Sequence, residues 1–233
     1  MKTDSRPDML ETPAGRSGTT NIVLLGIGGQ GTLTLMEMLA MAAEAAGEEV
    51  RVLSRVSLAR LGGSGMCHVR LGPAASPAIP TAEADILLSL EMSEVLRALP
   101  LARRGALAFI SAYRRMPIAA GVTGTHYPTH DEIERALREA GVTALFIPEV
   151  LPDVAPGDSP GERLVSETAA SAGDTENSRI NIIMLGVFAG YTHMLPRHLI
   201  EQAIAQRLPR FADQNRRSFL AGWQYGASLL KNA

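Results

Sequence analysis

The chain has 233 residues, 46 % of them hydrophobic, and its 22 Lys+Arg against 24 Asp+Glu leave a formal net charge of −2. That length suits one or two domains, and so balanced a charge offers no basic field to nucleic acid or to an anionic membrane. A single cysteine, Cys67, excludes an intrachain disulfide, a thiolate-held iron–sulfur cluster and a Cys-rich zinc site, so any electron carrier must sit elsewhere.

Residues 1–20 lack an apolar signal-peptide core and read as a polar, disordered leader. The most apolar runs, residues 33–46 and 180–191, are shorter than the roughly 20 residues a membrane helix needs, and a cytoplasmic location is expected. Asn21–Leu25 reads as a strand buried on both faces, closed by the glycine turn Gly26–Gly31. Thr32–Ala46 follows as a helix stopped by Gly47, and Glu49–Leu53 as a second strand. Leu61–Gly65 is a glycine-rich turn into the strand Met66–Leu71, and residues 73–80 form a Pro/Ala/Ser linker.

The alternation then resumes. Ala84–Leu90 is expected as a strand, Ser93–Arg103 as a helix capped by Ser93, and Gly105–Ile110 as a strand. A helix over Asp131–Ala140, entered through Thr129 or His130, leads to the strand Ala144–Ile147. Residues 152–177 break the pattern as a flexible insertion, in which 162–172 has helical character. Ile180–His193, Arg197–Leu208 and Asn215–Leu230 are helical. The fold expected is α/β: a Rossmann-like, mostly parallel sheet flanked by helices. It forms a single domain over 21–233, with residues 178–233 as a C-terminal helical extension.

Gly26, Gly28 and Gly31 satisfy G-x-G-x-x-G between a strand and a helix, where glycines allow a tight turn and the helix N-terminus presents N–H groups to phosphate. An NAD site also requires an acid at the end of the second strand, and Leu53-Ser54-Arg55 has none. Ser54 and Arg55 keep an NADP-binding reductase open as an alternative. A packing role for the glycines and a pure assembly scaffold are further alternatives. Gln30, with two donors and an acceptor, suits a polar contact to a cofactor or partner.

GIGGQG, then Arg60-Leu61-Gly62-Gly63-Ser64 and His68-Val69-Arg70-Leu71-Gly72, resembles the gamma-type domain of the 2-oxoacid:ferredoxin oxidoreductases. Ala84–Glu91, Asn181–Gly186 and Asn215–Gly222 look like further signatures of that family, so the likeness spans about residues 20–226. Size and the stand-alone domain are most similar to the small subunit of the indolepyruvate-specific branch. Leu61 within the Arg-Gly-Gly segment, Val56-Ser57-Leu58 before it and the 152–177 insertion depart from the family pattern.

The resemblance implies a subunit that binds no cofactor alone. Its large partner would carry thiamine diphosphate and iron–sulfur clusters, serve ferredoxin, and oxidatively decarboxylate an aryl-2-oxo acid to an acyl-CoA. Gly26, Gly28, Gly29, Gln30, Gly31, Gly62, Gly63 and Ser64 would line the shared site, touching coenzyme A or the partner.

Other constellations read as structural. Gly157-Asp158 with Asn181 only imitates a thiamine motif, since Ser159 replaces the last glycine. His126 and His130 flank Pro128 and lack a third metal ligand. Ser64 in GGSGM fails the nucleophile-elbow pattern. Cys67 is a buried small hydrophobe. Arg103-Arg104, Arg114-Arg115 and Arg216-Arg217 are solvated surface, any of which could steer coenzyme A phosphates.

Overall fold

The computed structural model describes residues 18–56, 63–115, 126–149, 151 and 179–231. Its strands are β1 Thr20–Ile27, β2 Val50–Val56, β3 Ser64–Leu71, β4 Ala84–Ser89, β5 Ala102–Ser111 and β6 Thr143–Ile147. The helices are α1 Thr32–Ala45, a 3₁₀ helix Ser93–Leu101, α2 His130–Glu139, α3 Ile180–Thr192, α4 Arg197–Arg207 and α5 Ala212–Lys231.

The six strands make one sheet in the order β2-β3-β1-β4-β5-β6. β1, β4, β5 and β6 run parallel, whereas β3 is antiparallel to both β1 and β2. The mostly parallel α/β expectation holds, and β3 inserted between the first two strands is its main refinement. The sheet is covered on both sides, which is why β1 is buried throughout. Ile22, Leu24, Ile86, Leu88 and Phe109 enter the layer under α1, α3, α4 and α5. Val23, Leu25, Leu87, Ala108 and Ile110 enter the layer under the 3₁₀ helix and α2.

Two spans differ from the sequence expectation in kind. The segment beginning at Ser93 is a 3₁₀ helix that ends at Leu101, and β5 starts three residues before Gly105. Pro100 inside it supplies no N–H and crowds the preceding turn, so an α-helix cannot run on to Arg103. Ser93 is not its cap: Met92 holds that position, and the Ser93 hydroxyl donates to Glu91 instead. At α2 the cap is Thr129, in a reciprocal capping box with Glu132.

The C-terminal helices form part of the main core. Phe188 and Tyr191 of α3 meet Phe109 of β5 edge-on, with ring centroids at 5.8 and 5.4 Å. α3 and α5 approach until their backbones touch. A Cβ on Gly186 or Gly190 would lie 2.3 Å from Phe219 O or 2.0 Å from Trp223 O. One on Gly222 or Gly226 would lie 2.2 Å from Ile183 O or 2.1 Å from Val187 O. Two Gly-x-x-x-Gly pairs therefore interlock, each removing the side chains that would hold the helices apart.

On the opposite face, the segment leading from β3 to β4 is tied down by β3 itself. Arg70 donates to the carbonyls of Ser76 (2.9 Å) and Ala78 (3.1 Å), and the Ile79 amide donates to His68 Nδ1 at 3.0 Å. The His68–Val69–Arg70 string thus works as a clamp. Because Nδ1 accepts, the neutral ring carries its proton on Nε2, which is buried without a hydrogen-bond partner among the described residues. At the sheet's amino edge Asp85 performs a similar task, accepting from Asn21 N at 2.8 Å and from Arg103 Nε at 2.7 Å.

Two predictions follow from this packing. Alanine is the better helix former by about 1 kcal/mol, yet Gly190→Ala is expected to destabilise the chain by about 1–3 kcal/mol in denaturant titration, with Gly18→Ala neutral. A Gly190→Ala protein as stable as wild type would contradict the interlock. Burial, then Arg55 and Arg70, push the His68 pKa below its ordinary value. The unfolded chain therefore takes up a proton near pH 6.5 that the folded chain refuses. Stability from this residue is full above that pH and lost as pH falls, and His68→Gln should flatten the slope between pH 7 and pH 5.

Candidate functional site

Chain direction diverges at the carboxyl ends of β1 and β4: β1 leads through α1 to the β2 side of the sheet, β4 toward β5. In open parallel sheets such a switch point is where ligands bind. GIGGQG fills it. A Cβ on Gly26 would sit 2.5 Å from Thr32 Oγ1 and 3.0 Å from Gln30 Oε1, so no side chain fits there. Gly31 is left-handed (φ 78°) at the N-cap of α1, where a Cβ would lie 2.4 Å from Asn181 Nδ2.

Gln30 holds this turn shut. Its Oε1 accepts from Ile27 N at 2.8 Å, and its Nε2 donates to Leu90 O at 3.1 Å. The side chain is 4 % exposed. The amide that the sequence offered to a cofactor or partner is therefore engaged in joining β1 to the end of β4, and the backbone of the loop is what faces outward.

The second glycine loop stands beside the first. Gly28 N donates to Gly63 O at 2.8 Å, while Gly62 lies outside the described residues. Ser64 Oγ donates to Glu94 Oε1 at 2.9 Å, and Glu94 also pairs with Arg97 at 3.0 Å. Of the site residues read from sequence, the structure brings Gly26, Gly28, Gly29, Gln30, Gly31, Gly63 and Ser64 into one neighbourhood.

Sequence reasoning placed Glu91, just past β4, at the end of the Ala84–Glu91 signature but assigned it no role. Its carboxylate is 1 % exposed. Oε2 accepts from Ser93 N (2.9 Å), Ser93 Oγ (2.7 Å) and Glu94 N (3.2 Å). Oε1 accepts from Arg115 N (3.2 Å) and from the Tyr127 hydroxyl. Burial and the Glu91 carboxylate push the Tyr127 phenol well above its ordinary pKa, which keeps it a donor. An acid between a strand and a Ser-Glu helix start was the available signal.

A cleft of about 310 Å³ opens next to the first loop, lined by Gly29–Gly31, Asn181, Arg179, Arg207, Arg210 and Phe211 among others. α1 and α3 both begin at it, and neither has an acidic residue in its first turn. Their dipoles add to the arginines' charge. Arg207 pairs with Glu37, Arg179 donates to Ser218 Oγ at 3.2 Å, and Arg210 stacks 4.9 Å from the Phe211 ring centroid. Phe211 is 51 % exposed in a left-handed backbone conformation (φ 63°), strained for so large a residue. The cleft suits an anion with an apolar portion.

The remaining candidates fall elsewhere. Ser54 and Arg55 lie on the edge strand β2, and β3 separates them from β1 by two strand spacings, about 10 Å. A dinucleotide lying on GIGGQG needs its ribose contact on the neighbouring strand, so this geometry does not favour the NADP reading. Cys67 is wholly buried in β3, and burial raises its thiol pKa. His126 pairs with Glu132 at 3.0 Å, while His130 packs on Phe146. Gly157 and Asp158 lie outside the described residues, and Asn181 is turned toward Gly31.

Gln30→Ala would leave Ile27 N and Leu90 O buried without partners, which costs at least about 2 kcal/mol. The expected result is a matching loss in denaturant titration with faster hydrogen exchange at Ile27. Unchanged stability would contradict the closure role.

Comparison with known proteins agrees with this geometry. Residues 21–225 match the family model described as pyruvate ferredoxin/flavodoxin oxidoreductase. The indolepyruvate oxidoreductase subunit IorB of Archaeoglobus fulgidus is 30 % identical over 211 residues, covering 89 % of this chain and 96 % of that protein. The same subunit of Methanothermobacter thermautotrophicus is 28 % identical, with coverage of 87 % and 95 %. Among solved structures, the gamma subunit of a keto/oxoacid ferredoxin oxidoreductase from Geobacter sulfurreducens shares the fold, with TM-score 0.56, 16 % identity and coverage of 90 % and 99 %. So does part of the 2-oxoglutarate:ferredoxin oxidoreductase from Magnetococcus marinus, solved with 2-oxoglutarate, coenzyme A and succinyl-CoA bound: TM-score 0.61, 16 % identity, 94 % of this chain and 32 % of that one. Two glycine loops at a sheet switch point, set in a chain that these relatives match nearly end to end, place this protein in the pyruvate ferredoxin/flavodoxin oxidoreductase family.

Proposed function

We propose that this chain is the cofactor-free subunit of a 2-oxoacid:ferredoxin oxidoreductase acting on an aryl-2-oxo acid such as indolepyruvate, in the cytoplasm. The observation that carries the reading is the match over nearly its whole length to IorB subunits, joined to the paired loops Gly26–Gly31 and Gly63–Ser64 at the carboxyl edge. The large partner subunit holds thiamine diphosphate and the iron–sulfur clusters and passes electrons to ferredoxin. This chain's own residues do not fit a cluster, because its sole cysteine is enclosed in the middle of β3.

The reaction consumes a 2-oxo acid anion and coenzyme A and releases carbon dioxide, an acyl-CoA, the thiol proton and two electrons. The carboxyl edge supplies one wall of the shared site. Coenzyme A lies along the cleft, its phosphates toward Arg179, Arg207, Arg210 and the start of α1. Closed by Gln30, the backbone of GIGGQG presents N–H groups to the ligand at little reorganisation cost.

Co-expression of the chain with the large subunit encoded in the native source tests this. The complex should reduce a viologen dye in the presence of indolepyruvate and coenzyme A, and neither chain alone should do so. Arg210→Ala should raise KM for coenzyme A about tenfold, the loss of one charged contact, and leave kcat within a factor of about two. Activity of the isolated chain, or an active complex in which Arg210→Ala changes no kinetic constant, would contradict the assignment.

A further inference from the structure

Glu91, the last residue of the Ala84–Glu91 signature, stands apart from the two glycine loops, yet its carboxylate joins three segments at the carboxyl edge. The two sides of residues 116–125 meet on one of its oxygens: the Arg115 amide at 3.2 Å from β5, and the Tyr127 hydroxyl from the approach to α2. The other oxygen fixes the start of the 3₁₀ helix through Ser93 and the Glu94 amide. Glu94 in turn holds Ser64 at 2.9 Å, and Gly63 holds Gly28 at 2.8 Å. A path of hydrogen bonds, continued through Glu94 and the Gly63–Ser64 peptide, therefore runs from Tyr127 through Glu91 to both glycine loops.

A buried carboxylate with five donors costs more to bury than an apolar residue, and the 3₁₀ helix needs only two or three of those donors. The remaining two serve segments distant in sequence. Met92 N already donates to Tyr113 O at 3.0 Å, so the ends of β4 and β5 are joined without Glu91. The surplus bonds act on the rim of the carboxyl edge.

From this we infer that Glu91 is a positioning residue. It holds Arg115, Tyr127 and, through Glu94, Ser64 in the register in which the carboxyl edge meets the 2-oxo acid and coenzyme A. The inference rests on the function proposed above. Glutamine at this position is isosteric but turns one acceptor oxygen into a donor. It can keep the helix-start bonds only by presenting NH₂ to the Arg115 amide, which then has no acceptor. Tyr127→Phe removes one bond and keeps the ring.

The test uses the co-expressed complex with Glu91→Gln, Tyr127→Phe and Glu91→Asp, and measures hydrogen exchange and steady-state kinetics. Glu91→Gln should speed exchange at 113–115, 126–129 and 64–66 while α1 and α3 stay protected. It should raise KM for the 2-oxo acid or coenzyme A at least fivefold, with kcat within a factor of two and subunit stoichiometry unchanged. Tyr127→Phe should show the same pattern at smaller size, and Glu91→Asp should recover part of it. Loosened exchange with unaltered KM would overturn the inference, as would exchange confined to 126–129. A wild-type complex inactive with every 2-oxo acid would overturn the proposed function instead. Glu91 would then be decided by exchange at 64–66, where a rise supports its role and protection refutes it.

Discussion

The amide of Gln30 is the tie on which this site depends. A Gly-rich turn between a strand and a helix has many backbone states and loses more entropy on ordering than any other kind of segment. One side chain overcomes this by accepting from Ile27 and donating to Leu90, so that the turn is fixed to β1 and β4 together. The switch point of the sheet thereby becomes a rigid wall, and α1 begins from it at a fixed angle. Removing the amide would leave two buried backbone groups without partners, in a place where the sheet offers no substitutes.

A second constraint supports it from behind. α3 lies nearly all in the core, and α5 can reach it only because Gly186 and Gly190 face Gly222 and Gly226. That close approach sets where Asn181, at the first turn of α3, meets the GIGGQG turn. The left-handed Gly31 leaves room for the Asn181 amide, whose Nδ2 lies 3.4 Å from Gly31 O. Helix packing on one face of the sheet and loop geometry at its edge are thus one mechanical unit. The clamp formed by His68 and Arg70 completes the opposite face.

Much of this was legible in the chain itself. The apolar run before GIGGQG, the Met- and Ala-rich helix after it and the strands beyond residue 84 are local signals, and each became the element it implied. The antiparallel placement of β3 was not legible, because strand order depends on long-range pairing that leaves no mark on the strand's own pattern. The 3₁₀ helix was misread although Pro100 was in view, since Ser93 and Glu94 imitate an ordinary helix start. Gln30 was read as a polar contact to a cofactor or partner, whereas its amide turns inward. Its true partners, Ile27 N and Leu90 O, are backbone groups that sequence does not distinguish. Glu91 was read only as the end of the Ala84–Glu91 signature because its five donors come from three segments, and the Gly-x-x-x-Gly pairs went unread although both spacings were plain.

The proposed function seats a larger, cofactor-bearing subunit on the carboxyl edge of this sheet, which then forms one wall of a shared site. An electron cryomicroscopy structure of the co-expressed complex with coenzyme A tests it most directly. The expected result is that the partner covers Gly29–Gly31, Ser64 and the Arg210 cleft, with coenzyme A phosphate density against the arginines. A complex in which that edge faces open solvent, and the partner is seated on the β2 edge or on α2, would contradict it.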